Sequence, residues 1–168
     1  PDIIFNTAEG QQGKLREALY PALFEELGIP YTGADAYTNA VTLDKWLTKL
    51  VVSKAGVDTP RACLVNPRNF DQILDRGPGL SFPVIVKPAR EDGSIGIEFN
   101  AVVSSIRELM ERIDWLHANF DSPVLIEEYV EGREMYVGVI GNDNPVALPV
   151  VELDLSKLPE GTPRIAGA

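Results

Sequence analysis

The chain has 168 residues and carries 15 lysines and arginines against 25 aspartates and glutamates, a formal net charge of −10. That balance argues against a nucleic-acid or anionic-membrane surface, so an anionic ligand requires a local cluster of basic side chains. Cys63 is the sole cysteine, which excludes an intrachain disulfide and suits a reducing cytoplasm, and no apolar run approaches the roughly 20 residues of a membrane span.

The chain opens without methionine on Pro1-Asp2-Ile3-Ile4-Phe5, already strand-like, so we expect a piece of a longer protein. Ile3 to Phe5 predict a strand and Asn6 to Gly10 a polar turn. Leu15, Leu19, Ala22, Leu23 and Leu27 recur at helical spacing, Gly28 is a stop, and Pro21 is expected to kink or split the helix. Ile29 to Gly33 is a short extended connection. This β-α-β-like opening predicts the trailing half of a parallel α/β layer.

Thr42 predicts the cap of a helix running through Lys45, Leu47, Lys49 and Leu50 to Ala55, ended by Gly56. Lys45 falls in its first turn, the wrong end for a cation, so it is either a solvated lysine or a group serving an anion. A strand at Ala62 to Val65 and a short helix around Phe70 to Leu74 follow.

Phe82 to Phe99 predicts a buried strand ending in Lys87, a glycine-punctuated loop with Gly93, Ser94 and Gly96, and a second strand that Ala101 to Val103 continue. Glycines let backbone N–H groups approach phosphate oxygens, and an ammonium at the strand end adds a point charge. The lysine precedes the glycines, so this is not the P-loop pattern; a hairpin with an exposed lysine fits the spacing equally well. Ser105 with Glu108 makes a capping box for a helix whose Ile106, Leu109, Met110, Ile113 and Leu116 share one face. His117 lies in that helix and is expected to face solvent. Val124 to Val130, Met135 to Ile140 and Val146 to Leu153 predict an antiparallel meander. Adjacent Glu127 and Glu128 cannot both point inward. Glu134 shares a strand face with Tyr136; a carboxylate there could accept ribose hydroxyls, and backbone at Glu128 to Val130 could meet an adenine edge, although a solvated acidic turn reads the same way. Glu152 and Asp154 read as exposed strand-end residues.

Taken in order, Phe5 to Gly10, Leu27 to Gly33, Leu43-Asp44-Lys45 with Thr48-Lys49, Val84 to Pro88, Arg90 to Gly96, and Ile126 to Tyr129 with Gly132-Arg133-Glu134 resemble the ATP-grasp superfamily, in its D-alanine-D-alanine ligase-like branch. The resemblance covers nearly the whole chain. It implies an α+β fold: residues 1–40 as the trailing part of a Rossmann-like N-terminal subdomain, 41–155 as the central nucleotide-binding subdomain with an antiparallel sheet and packed helices, and 156–168 as a flexible exit to a further subdomain. It also implies an ADP-forming carbon-nitrogen ligase in which ATP phosphorylates a carboxylate and an amine attacks the acyl phosphate. Lys45 and Lys87 are then the lysines meeting the α- and β-phosphates, Gly93 to Gly96, with Ser94, the lid, Glu127 with the backbone of Glu128, Tyr129 and Val130 the adenine hinge, and Glu134 the ribose acceptor.

The family's Mg²⁺ ligands are expected beyond Ala168, so the fragment alone is expected to be inactive. Expected partners are an amino acid or dipeptide, without nucleic acid or membrane, and a homodimer is compatible with the full-length protein. Two features depart from D-alanine-D-alanine ligases: Gly93 stands where the first of two adjacent serines usually does, and Ala8-Glu9-Gly10 replaces a histidine-glycine pair. Both lie on the acceptor side. A non-catalytic ATP-binding module and an ATP-grasp small-molecule kinase are the alternatives.

Overall fold

Alternation of small β-branched side chains builds the centre of the fold. In the computed structural model, which describes residues 1–66 and 79–167, β1 (Ala62–Val65), β2 (Val84–Pro88), β3 (Val102–Val103) and β4 (Val124–Glu128) form one antiparallel sheet in the order β1-β4-β2-β3. Successive side chains on a strand face opposite ways. Val84 and Val86, Val65, Val103, and Val124 and Ile126 therefore present one apolar face, and all are buried together with Leu109, Ile113 and Leu116 of α4 (Ile106–Asn119). The register sets Val86 opposite Ile126 and Lys87 opposite Leu125. That leaves Lys87 and Glu127 on the face away from α4.

α4 starts as expected: the Glu108 N–H donates to Ser105 Oγ at 3.3 Å. The Glu108 carboxylate accepts from the Ser104 N–H at 2.8 Å, one residue earlier than a closed box requires. Its buried face carries Arg112 in place of Ile106, which is 57% exposed. Arg112 donates to the Gly96 carbonyl and stacks over Trp115, so the packed stripe is rotated from the purely apolar one. His117 is half-buried, its Nε2 shut off from water without a partner, and so does not face solvent as expected.

Ahead of the sheet lie α1 (Arg16–Glu26), α2 (Ala36–Leu43) and α3 (Lys45–Lys54). The expected first strand is reduced to one parallel bridge, Ile4 with Tyr31, which agrees with a β-α-β turn but supplies a single rung. Pro21 does not split α1; it sits fully buried inside it, where its fixed φ suits the helix and only one i→i−4 bond is lost. Gly28 ends α1 as anticipated. At φ 64° its N–H reaches the Glu25 carbonyl and the Ile29 N–H reaches that of Phe24, a Schellman closure. The leucine stripe, however, is exposed at Leu15, Leu19, Leu23 and Leu27, and the buried positions are Ala18 and Pro21. The cap of α3 is Asp44; Thr42 belongs to α2, a helix the sequence reading did not anticipate.

Beyond β4 the expected three-stranded meander is a broken hairpin. β5 (Glu134–Tyr136) pairs β8 (Val151–Leu153), and β6 (Val139–Ile140) pairs β7 (Val146–Ala147), while β4 pairs β1 and β2 instead. The break falls at Gly138 and Pro149, where proline has no N–H to continue the ladder. The strand expected through Phe99 is a 3₁₀ turn, Phe99–Ala101, leading into a two-residue β3. The helix expected near Phe70 to Leu74 lies outside the described residues, and no described helix is long and apolar enough to cross a membrane.

Candidate functional site

The site is assembled by the junction between β2 and α3. Asp44 caps α3 by accepting from the Leu47 N–H at 3.0 Å with Oδ1, while Oδ2 accepts from Arg90 Nε at 2.9 Å. The Lys45 N–H donates to the Ala89 carbonyl at 2.9 Å. The first turn of α3 is thereby pinned to the end of β2. Lys45 and Lys49, four residues apart, lie on one side of that helix. The Lys45 ammonium donates to the Glu91 carbonyl. Lys49 Nζ lies 2.9 Å from Glu127 Oε2, and the Lys87 ammonium pairs with Oε1 of the same carboxylate. The side chains of Lys49, Lys87 and Glu127 are only 14%, 18% and 10% exposed.

Two ammonium groups, those of Lys49 and Lys87, thus meet on one carboxylate in a chain of net charge −10, and the third, of Lys45, stands near enough to Lys87 to feel its charge. Burial, followed by the charge of Lys87, pushes Lys45 down to about 8, although Asp92 and Glu91 oppose the shift. Burial alone would raise Glu127; Lys87 foremost, with Lys49, outweighs it and holds the carboxyl below its usual range. The three lysines outnumber Glu127, and the nearby Glu91 and Asp92 carboxylates are themselves paired with Arg16.

The glycine loop lies next to this cluster. Gly93, Ser94 and Gly96 have φ of 53°, 61° and 72°, the left-handed region. Ser94 adopts it without the freedom of glycine, at a cost on the order of 1 kcal/mol. A Cβ on Gly96 would lie 2.7 Å from Pro88 Cγ and 3.0 Å from Phe120 Cζ, so only hydrogen fits. Ser94 Oγ donates to the Ala166 carbonyl at 3.0 Å.

The residues expected to form the hinge are partly committed. The Glu128 N–H donates to the Arg61 carbonyl and the Tyr129 N–H to that of Pro83, and Arg61 grips the Glu128 carboxylate through Nε at 3.0 Å and Nη2 at 2.6 Å. Glu128 is thus the outward member of the glutamate pair. The Tyr129 hydroxyl accepts from the Arg164 N–H at 3.0 Å, and Val130 is 68% exposed. Glu134 stands on β5, in a ribbon separate from the central sheet, where it accepts from the Tyr136 hydroxyl at 2.6 Å. Lys87 and Glu127 are brought into contact, and Lys45 stands near enough to Lys87 to feel its charge; Glu134 is not drawn into their contacts. Glu152, 3.4 Å from Arg133, and Asp154, capping Ser156, behave as strand-end residues.

Sequence reasoning missed Lys49 as a site residue, although its i, i+4 spacing from Lys45 was the signal. It also missed the Asp44–Arg90 pair that fixes the helix start. A cavity of about 1130 Å³ borders the site, lined by Lys14, Arg16, Arg90, Glu91 and His117 among others, and it meets Lys45 through Glu91, whose carbonyl Lys45 holds. Its two arginines are paired, Arg16 with Glu91 at 3.2 Å and Arg90 with Asp44.

Comparison with known proteins bears on the family and the fold. The family described as D-ala D-ala ligase C-terminus matches residues 59–158. A D-alanine–D-alanine ligase of Aquifex aeolicus is 36% identical over 159 residues, covering 91% of this chain and 48% of that protein. The crystal structure of VanG D-Ala:D-Ser ligase from Enterococcus faecalis superposes with a TM-score of 0.78 at 29% identity, covering 90% of this chain and 43% of that one. D-alanine–D-alanine ligase from Bacillus anthracis, complexed with ATP, matches with a TM-score of 0.67 at 26% identity, covering 90% and 48%. The chain spans about half the length of the relatives it matches. From the profile match, the shared fold and the order of its motifs, the chain belongs to the D-ala D-ala ligase C-terminus family and has the ATP-grasp fold of the ligase-like branch.

Proposed function

We propose that the full-length protein is an ATP-dependent carboxylate-amine ligase, forming an amide through an acyl phosphate and releasing ADP and phosphate, and that this chain supplies its phosphate-holding surface. One observation carries the reading: Lys49 and Lys87 share a single buried carboxylate, Glu127, and Lys45 stands close enough to Lys87 to feel its charge, so that an acidic chain gathers three lysines beside a left-handed glycine loop. Such a cluster stabilises a polyphosphate by charge and position rather than by covalent chemistry. In this reading Lys45 and Lys87 hold the α- and β-phosphates. Gly93 and Ser94 close over them, Glu127 with Glu128, Tyr129 and Val130 edges the adenine, and Glu134 meets the ribose after its ribbon closes on the sheet.

The substrates are small amino acids or dipeptides, and the setting is cytoplasmic, in keeping with a lone half-buried thiol that burial pushes up to about 11. Mg²⁺ would neutralise phosphate charge. The one carboxylate cluster among the described residues, Glu9, Glu17 and Asp92, is poorly suited to hold it, because Arg16 already lies 3.3 Å from Glu17 and 3.5 Å from Asp92. No step of the reaction is therefore assigned to a metal.

The test is ATP-dependent phosphate release by the full-length protein across a panel of amino acids and dipeptides. Release of ADP with free phosphate supports a ligase. ADP with phosphorylated substrate and no free phosphate supports a kinase, and nucleotide binding without turnover supports a non-catalytic module. Lys87→Ala should weaken ADP binding by about tenfold or more while lowering the melting temperature little; equal loss of both would make Lys87 a structural lysine.

A further inference from the structure

Glu127 is held from two sides by cations of different elements. Oε1 faces Lys87 of β2, and Oε2 faces Lys49 of α3 at 2.9 Å. Its neighbours across the sheet are Ala62 on β1 and Ile85 on β2, neither of which carries a side-chain polar atom to replace a lost partner. Lys45, one turn before Lys49, is engaged with the Glu91 carbonyl and stands close enough to Lys87 to feel its charge, with Asp92 and Arg16 also near. Lys87 cannot give its full charge to a phosphate while it remains locked on Glu127. If it leaves, a carboxylate only 8% exposed loses one of its two cations. A buried carboxylate left with no cation takes up a proton instead of staying charged.

We propose that Lys49 is a positioning residue that keeps Glu127 ionised when Lys87 moves to the nucleotide. It need not touch the ligand. Its place is fixed by the same Asp44 cap and Lys45 N–H that anchor the start of α3, so it remains on Oε2 whichever way Lys87 points. Lys87 is thereby a transferable charge, with Lys49 as the standing counter-ion that makes the transfer cheap. The inference rests on the nucleotide reading of this site and goes beyond it by assigning a role to a residue outside the phosphate contacts.

The experiment is calorimetric titration of the full-length protein with ADP in two buffers of different ionisation enthalpy. Wild type, Lys49→Met and Lys49→Arg are compared at one pH, so that protons taken up by ADP itself cancel. Lys49→Met should bind ADP about tenfold or more weakly at pH 7.5, take up nearly one additional proton per ADP bound, and recover affinity as the pH falls toward 5.5; Lys49→Arg should restore wild-type behaviour. Wild-type affinity and proton count in Lys49→Met would overturn the proposal. So would an affinity loss equal at every pH and matched by a lowered melting temperature, because that marks a structural tack between α3 and β4. If Lys49→Met does not fold, infrared difference spectra of the wild type decide. The proposal requires that ADP binding raise no protonated-carboxyl band, and a band that disappears in Glu127→Gln overturns it. Failure of the wild type to bind ADP at all would overturn the nucleotide reading itself, an outcome distinct from a silent Lys49 variant.

Discussion

Replacing Lys45 by arginine separates its charge from its protonation. Burial and the neighbouring Lys87 charge bring the Lys45 ammonium down to about 8 from 10.5, and its proton is what an incoming phosphate would bind. The sign follows from linkage. Below pH 8 the ammonium is already present and affinity is flat, whereas above it each pH unit requires a proton to be taken up on binding, about 1.4 kcal/mol or tenfold. Between pH 7.5 and 9.5, where the second phosphate ionisation near 6 is complete, the protonated fraction falls from roughly three-quarters to about 3%. ADP affinity should therefore drop about 25-fold in the wild type. Lys45→Arg should stay nearly flat, because a guanidinium holds its proton throughout. The same depressed value means that the unfolded chain binds the extra proton between about pH 8 and 10.5, so stability should rise with pH through that window. Fluorescence or calorimetric titration of the full-length protein measures the binding arm. A wild-type affinity independent of pH, or an equal decline in Lys45→Arg, would refute the placement of Lys45 at the phosphates.

Two further outcomes test the frame around the site. Ile113, 1% exposed at the centre of the α4–sheet contact, should cost about 2–5 kcal/mol on truncation to alanine, read as a lowered urea midpoint with unchanged slope. Gly96→Ala meets both a positive φ and a Cβ clash with Pro88 and Phe120, whereas Gly93→Ala meets only the φ. Gly96→Ala should therefore loosen residues 93–97 to limited proteolysis far more than Gly93→Ala, and equal cleavage of the two would show that packing under the loop is not what holds it.

The central sheet was legible because its code is local. Val84 to Val86 and Val124 to Ile126 are short apolar runs rich in β-branched residues, and Ser105 and Gly28 mark helix ends by their own chemistry. Lys45, Lys87 and Glu127 were legible through family order, not through spacing. What escaped depended on distant partners. Asp44 outcompetes Thr42 as a cap because Arg90, 46 residues away, holds its second oxygen. Lys49 joins the site only because β4 delivers Glu127 to it. The leucine stripe of α1 predicts a buried face, yet within the described residues it meets solvent, since periodicity announces that a face is apolar and not what covers it.

The segment around Arg164 to Ala166 holds Ser94 of the glycine loop at one end and the Tyr129 phenol, just beyond β4, at the other. Such a bridge makes the glycine loop and the chain just beyond β4 mechanically accountable to each other. Drawing the loop inward slackens or strains the segment that also fixes the tyrosine, so a perturbation at Tyr129 is transmitted to Ser94 through three residues of backbone instead of through the sheet.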